Sequence, residues 1–109
     1  MRYLLMIGGE DSAGAEQLKD CGGWSERMER RGVLRGGVGL RPKEEAVTVR
    51  VRGDEVLRSD GPFAETKEQI GGFSVIECAD LDEAVEIAAD HPVAKLGLIE
   101  IRPIVESSD

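Results

Sequence analysis

A stretch of turn-forming residues between two strand-like segments constrains the fold of this 109-residue chain more than any other feature. It begins at Asp60-Gly61-Pro62-Phe63 and continues into Gly71-Gly72-Phe73. Gly61 can adopt a positive φ that other residues avoid, and Pro62 fixes its own φ at about −65°. The Asp60 carboxylate can accept hydrogen bonds from the backbone amides that follow it. The chain is therefore expected to reverse direction here in a rigid, charged turn between two strands.

Hydrophobic periodicity on either side of this turn predicts six strands and two helices. The predicted strands are Tyr3 to Ile7, Val33 to Leu40, Ala46 to Arg52, Glu55 to Ser59, Ile70 to Cys78 and Leu98 to Ile104. One helix is predicted from Ala15 to Arg31, because apolar residues recur there at spacings of three and four. The second begins at Asp80, which with Glu83 resembles a capping box, and ends at His91-Pro92.

Glycines predict the irregular points of this pattern. Gly22-Gly23 indicates a kink in the first helix or its division into two short helices, and Gly32 stands where a left-handed C-terminal cap belongs. Gly36-Gly37 predicts a bulge in the second strand, and Gly53-Asp54 predicts a two-residue hairpin turn. Glycines near Arg35 and Arg41 match no nucleotide-binding motif.

The bulk composition restricts the class of protein. A chain of 11.8 kDa is the size of one domain, so residues 1–105 are expected to form it and residues 106–109 a short disordered tail. The net charge of −8 argues against direct nucleic-acid binding. The apolar run from Tyr3 to Ile7 is too short for a membrane span or a signal peptide, which predicts a cytoplasmic protein without a membrane partner.

The cysteine and histidine content argues against a metal centre. Cys21 and Cys78 are too few and too far apart for a disulfide framework or a zinc site, so both are expected to be reduced thiols. His91 is the one histidine of the chain. The sequence therefore predicts neither a bound metal nor a cofactor.

The turn motif and its surroundings resemble the DGPF-domain branch of the YCII-related proteins. The similarity runs through Gly32 to Pro42, Val47 to Arg52, Ser59 to Pro92 and Ile99 to Ile104, and it weakens between Glu10 and Arg31. This resemblance implies an α+β, ferredoxin-like fold, with an antiparallel sheet, helices on one face and an inserted β-hairpin. It also implies a homodimer of the dimeric α/β-barrel type.

Strand alternation indicates what the uncovered face of that sheet carries. If Ile99 and Ile101 face the helices, Glu100 and Arg102 face the open side. Phe73, Val75 and Glu77 are candidates for the same side. A face with both apolar and charged residues is expected to be covered, and two such faces in a dimer would enclose a cavity. The residues expected to bind a ligand there are Tyr3, Arg41, Phe63, Lys67, Glu100 and Arg102.

Two residues are candidates for catalysis. Asp60 either shapes its turn or presents a carboxylate at the cavity rim as a general base or ligand anchor, and the nearby Lys67 is either a substrate-anion anchor or a solvated ion pair. His91 is expected to cap a helix C-terminus as a cation. Some YCII-related proteins are thought to use a His–Asp pair for lyase or dehalogenating chemistry, but their histidine is associated with the first helix. A pair of His91 with Asp60 would depend on the tertiary fold.

Three functions remain open at this point. The first is a dimeric protein that binds a small polar or aromatic acid. The second, which the resemblance implies, is a regulatory module associated with a sigma factor of the extracytoplasmic-function type. The third is a cofactor-free lyase or dehalogenase-like enzyme. Whether the chain is an enzyme is not decided by its sequence.

Overall fold

A computed structural model describes residues 1–10, 22–62 and 68–105 of the chain. Its elements, in chain order, are β1 (Arg2–Glu10), α1 (Gly22–Arg30), β2 (Leu34–Gly39), β3 (Val47–Arg52), β4 (Glu55–Asp60), β5 (Glu68–Glu77), α2 (Leu81–Ala89), α3 (Val93–Leu96) and β6 (Leu98–Pro103). A single 3₁₀ turn at Lys43–Glu45 precedes β3. None of the helices in these described segments has the length and apolar character needed to cross a membrane.

Four strands form an antiparallel sheet in the order β2-β5-β1-β6. The two central strands, β1 and β5, are joined to the two edge strands through helical connections. This mixed α+β arrangement is consistent with the expected ferredoxin-like plan. Among the described residues, β3 and β4 pair only with each other and form a separate two-stranded sheet. In the sequence this hairpin follows β2 and precedes β5.

The hydrophobic core lies between this sheet and helices α1 and α2. Alternate residues of the central strands point toward the helices, so Leu5 of β1 and Ile76 of β5 are completely buried. Trp24 and Met28 of α1 and Ile87 of α2 fill the other side of the layer. The remaining core residues are Tyr3, Ile7, Val33, Cys78, Ala84, Ala88 and Val93, and Ile99 and Ile101 of β6 pack against them. Cys78 is a buried free thiol, as expected.

Several predicted local features are confirmed. Gly32 ends α1 with a φ of 76°, and a register shift between Leu34 and Gly36 is the expected bulge of β2. Gly61 has a φ of 98°, which a side chain would strain. At the start of α2, Asp80 accepts a hydrogen bond of 2.9 Å from the Glu83 amide. The predicted capping residue is therefore correct.

Two elements differ from the sequence prediction. β1 continues to Glu10, past the predicted end of this strand at Ile7. A Cβ atom on Gly8 would lie 2.5 Å from the Gln69 carbonyl oxygen, so glycine is what allows the strand to continue against β5. The short helix α3 was not predicted, because four residues are too few to show a helical period. The Ala15–Cys21 part of the predicted first helix lies outside the described residues.

The β3–β4 hairpin is exposed along its whole length. Val49, Val51 and Val56 are each more than half exposed, at 59%, 57% and 67%. The radius of gyration is 15.5 Å, against about 13 Å for a compact domain of this length. An isolated two-stranded hairpin is marginally stable in water.

Candidate functional site

His91 lies in the short connection between α2 and α3, and the core encloses its side chain. Only 1% of the residue is exposed. Its ring meets the indole of Trp24 edge-on, with centroids 4.7 Å apart and planes inclined by 62°. The indole is itself held by a 3.0 Å hydrogen bond from its Nε1 to the Ile87 carbonyl. Both rings are therefore fixed by the packing of α1 against α2.

The hydrogen bonds of this ring define its protonation state. The Val93 amide donates a hydrogen bond of 3.0 Å to His91 Nδ1, so Nδ1 carries no proton and the neutral ring is protonated at Nε2. Burial lowers the pKa of His91 from its ordinary value of 6.5, and the neighbouring Asp90 opposes this only in part. At neutral pH, His91 is therefore an uncharged hydrogen-bond donor.

The capping role expected for His91 is therefore wrong in its details. α2 ends at Ala89 with Asp90 as its C-cap, and His91 Nδ1 accepts a hydrogen bond from the Val93 amide at the start of α3 instead of capping the end of α2 as a cation. Burial explains the difference, because an imidazolium would have to be desolvated in the core.

The donor at Nε2 has no partner among the described residues. Nε2 is completely buried there and makes no hydrogen bond. A buried unsatisfied donor costs about 1–3 kcal/mol, and such groups are uncommon in folded proteins. A fixed, buried donor without an acceptor is the clearest chemical signal in the part of the chain that the structure describes.

His91 also lines a cavity of about 630 Å³ between α1 and the β2 edge of the sheet. Ser25 and Glu29 of α1, Ser74 of β5 and Ile7 of β1 are among the other residues that line it. Gly37 of β2 belongs to the same wall, and a Cβ atom there would lie 3.1 Å from Ser74 Oγ. Because Gly37 has no side chain, the cavity extends beside the Ser74 hydroxyl group.

Sequence reasoning missed the serines and Glu29 of this cavity. Ser74 is 7% exposed, although it occupies a core-facing position between apolar residues of β5. A polar residue in the buried register of a strand is a signal that the sequence carried. For Ser25 and Glu29, which lie on a helix with many polar residues, no comparable signal existed.

Asp60, the first residue of the predicted turn, ends β4 and is exposed. The Gly61 amide donates a 2.7 Å hydrogen bond to the Ala46 carbonyl, and Thr48 Oγ1 donates one of 2.8 Å to the Gly61 carbonyl. These bonds close the base of the hairpin. The structure gives no hydrogen bond between Asp60 and His91, and Asp60 is not among the described residues that line the cavity. Phe63 and Lys67 lie outside the described residues.

The other predicted ligand residues are dispersed. Arg41 is exposed and forms a bidentate pair with Glu45, with Nε 3.3 Å from Oε1 and Nη2 2.9 Å from Oε2, and this pair raises the pKa of Arg41. Tyr3 is only 2% exposed and lies on the helix-covered face, so it does not reach the open face where it was expected. The reason is its place in the alternation of β1, which puts odd-numbered residues in the core.

The open face has the composition that the sequence predicts. Glu100 and Arg102 lie opposite Met6 and Leu4 of β1, and they form an ion pair of 3.2 Å. Phe73 and Val75 of β5 continue the apolar centre of this face. At one end Arg2 and Arg35 both contact Glu77, at 3.5 and 3.3 Å, and the Arg35 contact lowers the pKa of Glu77. The open face therefore has apolar residues at its centre and ion pairs on either side of them.

No group of three or more potential metal-ligating side chains is found among the described residues. The polar residues that line the candidate cavity are His91, Ser25, Ser74, Glu29 and Arg35.

Comparisons with known proteins agree with this architecture. The chain is 43% identical, over 83 residues, to an uncharacterised protein of Rhizobium meliloti, with 71% of this chain and 67% of that protein covered. Its fold is similar to the 5-chloro-2-hydroxyhydroquinone dehydrochlorinase of Burkholderia phenoliruptrix AC1100, solved in complex with 2,5-dihydroxybenzoquinone. That similarity has a TM-score of 0.57 at 14% identity and covers 98% of this chain and 96% of that one. The family model of the YCII-related domain matches residues 1–108, and the chain belongs to that family.

Proposed function

We propose that this protein binds a small polar or aromatic acid in the cavity beside His91. One observation carries the proposal: His91 lines a cavity of about 630 Å³, and its buried Nε2–H lacks an acceptor among the described residues. A ligand oxygen would satisfy this donor and remove its desolvation cost. The mixture of apolar walls with a few polar groups is typical of small-molecule sites.

The state of His91 favours binding over base catalysis. A general base needs a free lone pair, but the Nδ1 lone pair accepts from Val93 and Nε2 already carries the proton. To act as a base, the ring would have to change tautomer and lose the cap of α3. His91 is therefore suited to hold a ligand or to polarise its oxygen.

The proposal is tested by a thermal-shift screen of small organic acids, phenols and quinones with wild type, His91→Asn and Asp60→Ala. A ligand at about a hundred times its Kd stabilises the folded state by about 2.7 kcal/mol. We expect stabilisation of wild type and Asp60→Ala, and a much smaller effect in His91→Asn. Stabilisation that is lost only in Asp60→Ala would place the site at the hairpin turn, and a panel without any effect would count against ligand binding.

We also propose that the molecule is a homodimer in which the open faces meet. The apolar centre of the face, with Leu4, Met6, Phe73 and Val75, supports this arrangement, because a half-apolar sheet face is seldom left in water. A second ligand cavity between the two faces, next to Glu100 and Arg102, is part of the same proposal.

A regulatory module that binds a protein partner, such as a sigma factor, is the second candidate. The exposed valines of the hairpin favour contact with a protein, and the net charge of −8 of the whole chain suits a basic partner. A hairpin variant such as Val49→Lys would abolish partner binding under this hypothesis and leave ligand binding unchanged.

A cofactor-free lyase or dehalogenase activity is a third candidate, and the similarity to a dehydrochlorinase guides its test. Chlorinated hydroquinones belong in the ligand panel, with chloride release as the measurement. Release that depends on His91 would favour the enzyme, and binding without release would favour a binding protein.

A further inference from the structure

We infer that the deep end of the cavity recognises an uncharged oxygen acceptor, so that an acid ligand enters with a carbonyl or phenol oxygen first and its carboxylate last. This inference rests on the proposed ligand-binding function. It follows from the hydrogen bond that Val93 donates to His91 Nδ1, which leaves Nε2–H as a fixed donor. If Nδ1 were protonated, its N–H would face the N–H of Val93, and the hydrogen bond between these two groups would be lost.

The surroundings of the ring do not favour a buried anion. The ring is flanked by Trp24, which offers no charge, and its Nε2 is completely buried. A carboxylate at that depth would lose its hydration and gain only a neutral donor, which is insufficient compensation. The deep ligand atom is therefore expected to be neutral.

Charged groups are confined to the outer parts of the neighbouring elements. Glu29 of α1 and Arg35 of β2 line the cavity, and both are exposed. Asp90, next to His91, is held by Arg27 in an exposed ion pair of 2.9 Å. Arg35 also contacts Glu77 at 3.3 Å, so a hydrated ligand carboxylate at this mouth would share Arg35 with Glu77. The cavity thus has a neutral end and a charged end, which fixes the orientation of a ligand.

Two substitutions separate the roles of the two ring nitrogens. In His91→Asn, the side-chain oxygen can still accept from the Val93 amide, as in an Asx turn, but the donor to the cavity is lost. In His91→Gln, the longer amide can place an N–H near the position of Nε2, but the cap of α3 is lost. Thermal unfolding of both variants checks that each remains folded.

The test measures binding of 4-acetylbenzoate and terephthalate by calorimetry. The two compounds have similar size and one common carboxylate, and they differ in whether the opposite group is a neutral carbonyl or a second charge. We expect 4-acetylbenzoate to bind at least roughly tenfold more tightly, to lose about five- to tenfold in His91→Asn, and to retain most of its affinity in His91→Gln. Equal or tighter binding of terephthalate would overturn the inference and leave the proposed function standing.

Nitrogen NMR of the sole histidine gives an independent measurement that needs no residue assignment. We expect the neutral, Nε2-protonated tautomer at neutral pH, both in the free protein and with 4-acetylbenzoate bound. An imidazolium or an Nδ1-protonated ring would overturn the inference. If the ring has the expected form but neither benzoate binds, the result counts against the proposed function itself and removes the inference with it.

Discussion

Single residues in this molecule combine structural and functional constraints, and His91 combines the most. Its Nδ1 caps α3, its ring packs on Trp24, and its Nε2–H is directed away from any described acceptor. The first two interactions stabilise the fold, whereas the third costs free energy. A retained cost of this kind is typical of binding sites, where polar groups are prepared for a ligand in advance.

The lowered pKa of His91 predicts a specific pH dependence of stability. The folded state binds a proton at His91 less readily than the unfolded chain does. The neutral ring therefore contributes fully to the free energy of unfolding above the unfolded pKa of about 6.5, and this contribution is lost as the pH falls toward the folded pKa. We therefore expect the free energy of unfolding of wild type to decrease below about pH 6.5 more steeply than that of His91→Asn.

Chemical denaturation of both proteins from about pH 5 to about pH 8 measures this difference. The carboxylates are common to the two proteins, so their titration cancels when the curves are subtracted. A constant difference between wild type and variant across this range would contradict the lowered pKa.

Elements position the site through their ends and edges. The cavity lies at the edge strand β2, where glycines leave the sheet without side chains, and it is closed on the other side by α1. His91 is placed by the junction of α2 and α3, so the start of α2 indirectly orients the site. At that start, the Glu83 amide donates a hydrogen bond of 2.9 Å to Asp80 Oδ1, and the Ala79 amide donates one of 2.8 Å to Glu83 Oε1.

Replacement of the α2 cap is expected to destabilise the domain. Asp80→Ala removes the acceptor of the Glu83 amide and should lower the free energy of unfolding by about 1 kcal/mol. Asp82→Ala is the matched control, because Asp82 also carries a negative charge in the first turn without capping an amide in the described contacts. Denaturant unfolding, followed by the fluorescence of the single tryptophan, measures both. Equal losses in the two variants would attribute the effect to the helix dipole instead of the cap.

At the scale of the whole molecule, two surfaces are incompletely buried in the single chain. The open sheet face is apolar at its centre, and the β3–β4 hairpin projects from a molecule of 47 × 36 × 19 Å. Small domains bury a limited fraction of their surface, so association offers them additional stability. The contributions of the two surfaces to an interface can be distinguished by mutation.

We expect a dimer at micromolar concentration, held by the open face. Val75→Glu introduces a charge at the centre of that face and should shift light-scattering mass toward the monomer, while Val56→Glu in the hairpin should leave the dimer intact. Size-exclusion chromatography with light scattering measures both variants. A monomeric wild type would refute the dimer, and dissociation by Val56→Glu alone would move the interface to the hairpin.

Local patterns in the sequence were sufficient to predict the secondary structure and the family of this protein. Alternation, glycine spacing and the Asp80–Glu83 pair predicted the strands, the bulge of β2 and the cap of α2, because these features depend on neighbouring residues. The Asp60-Gly61-Pro62 segment indicated the turn for the same reason. The match of the YCII-related model to residues 1–108 agrees with the resemblance that these motifs carry.

The residues that meet at a site could not be predicted in this way, because they are brought together by long-range packing. Tyr3 lies in the core instead of on the open face, and His91 is a buried neutral donor instead of a cation that caps a helix C-terminus, because burial depends on how α1 and α2 pack on the sheet. Ser25 and Ser74 are far apart in sequence and line one cavity for the same reason. Local patterns encode secondary structure, whereas desolvation and long-range contacts set the chemistry of a side chain.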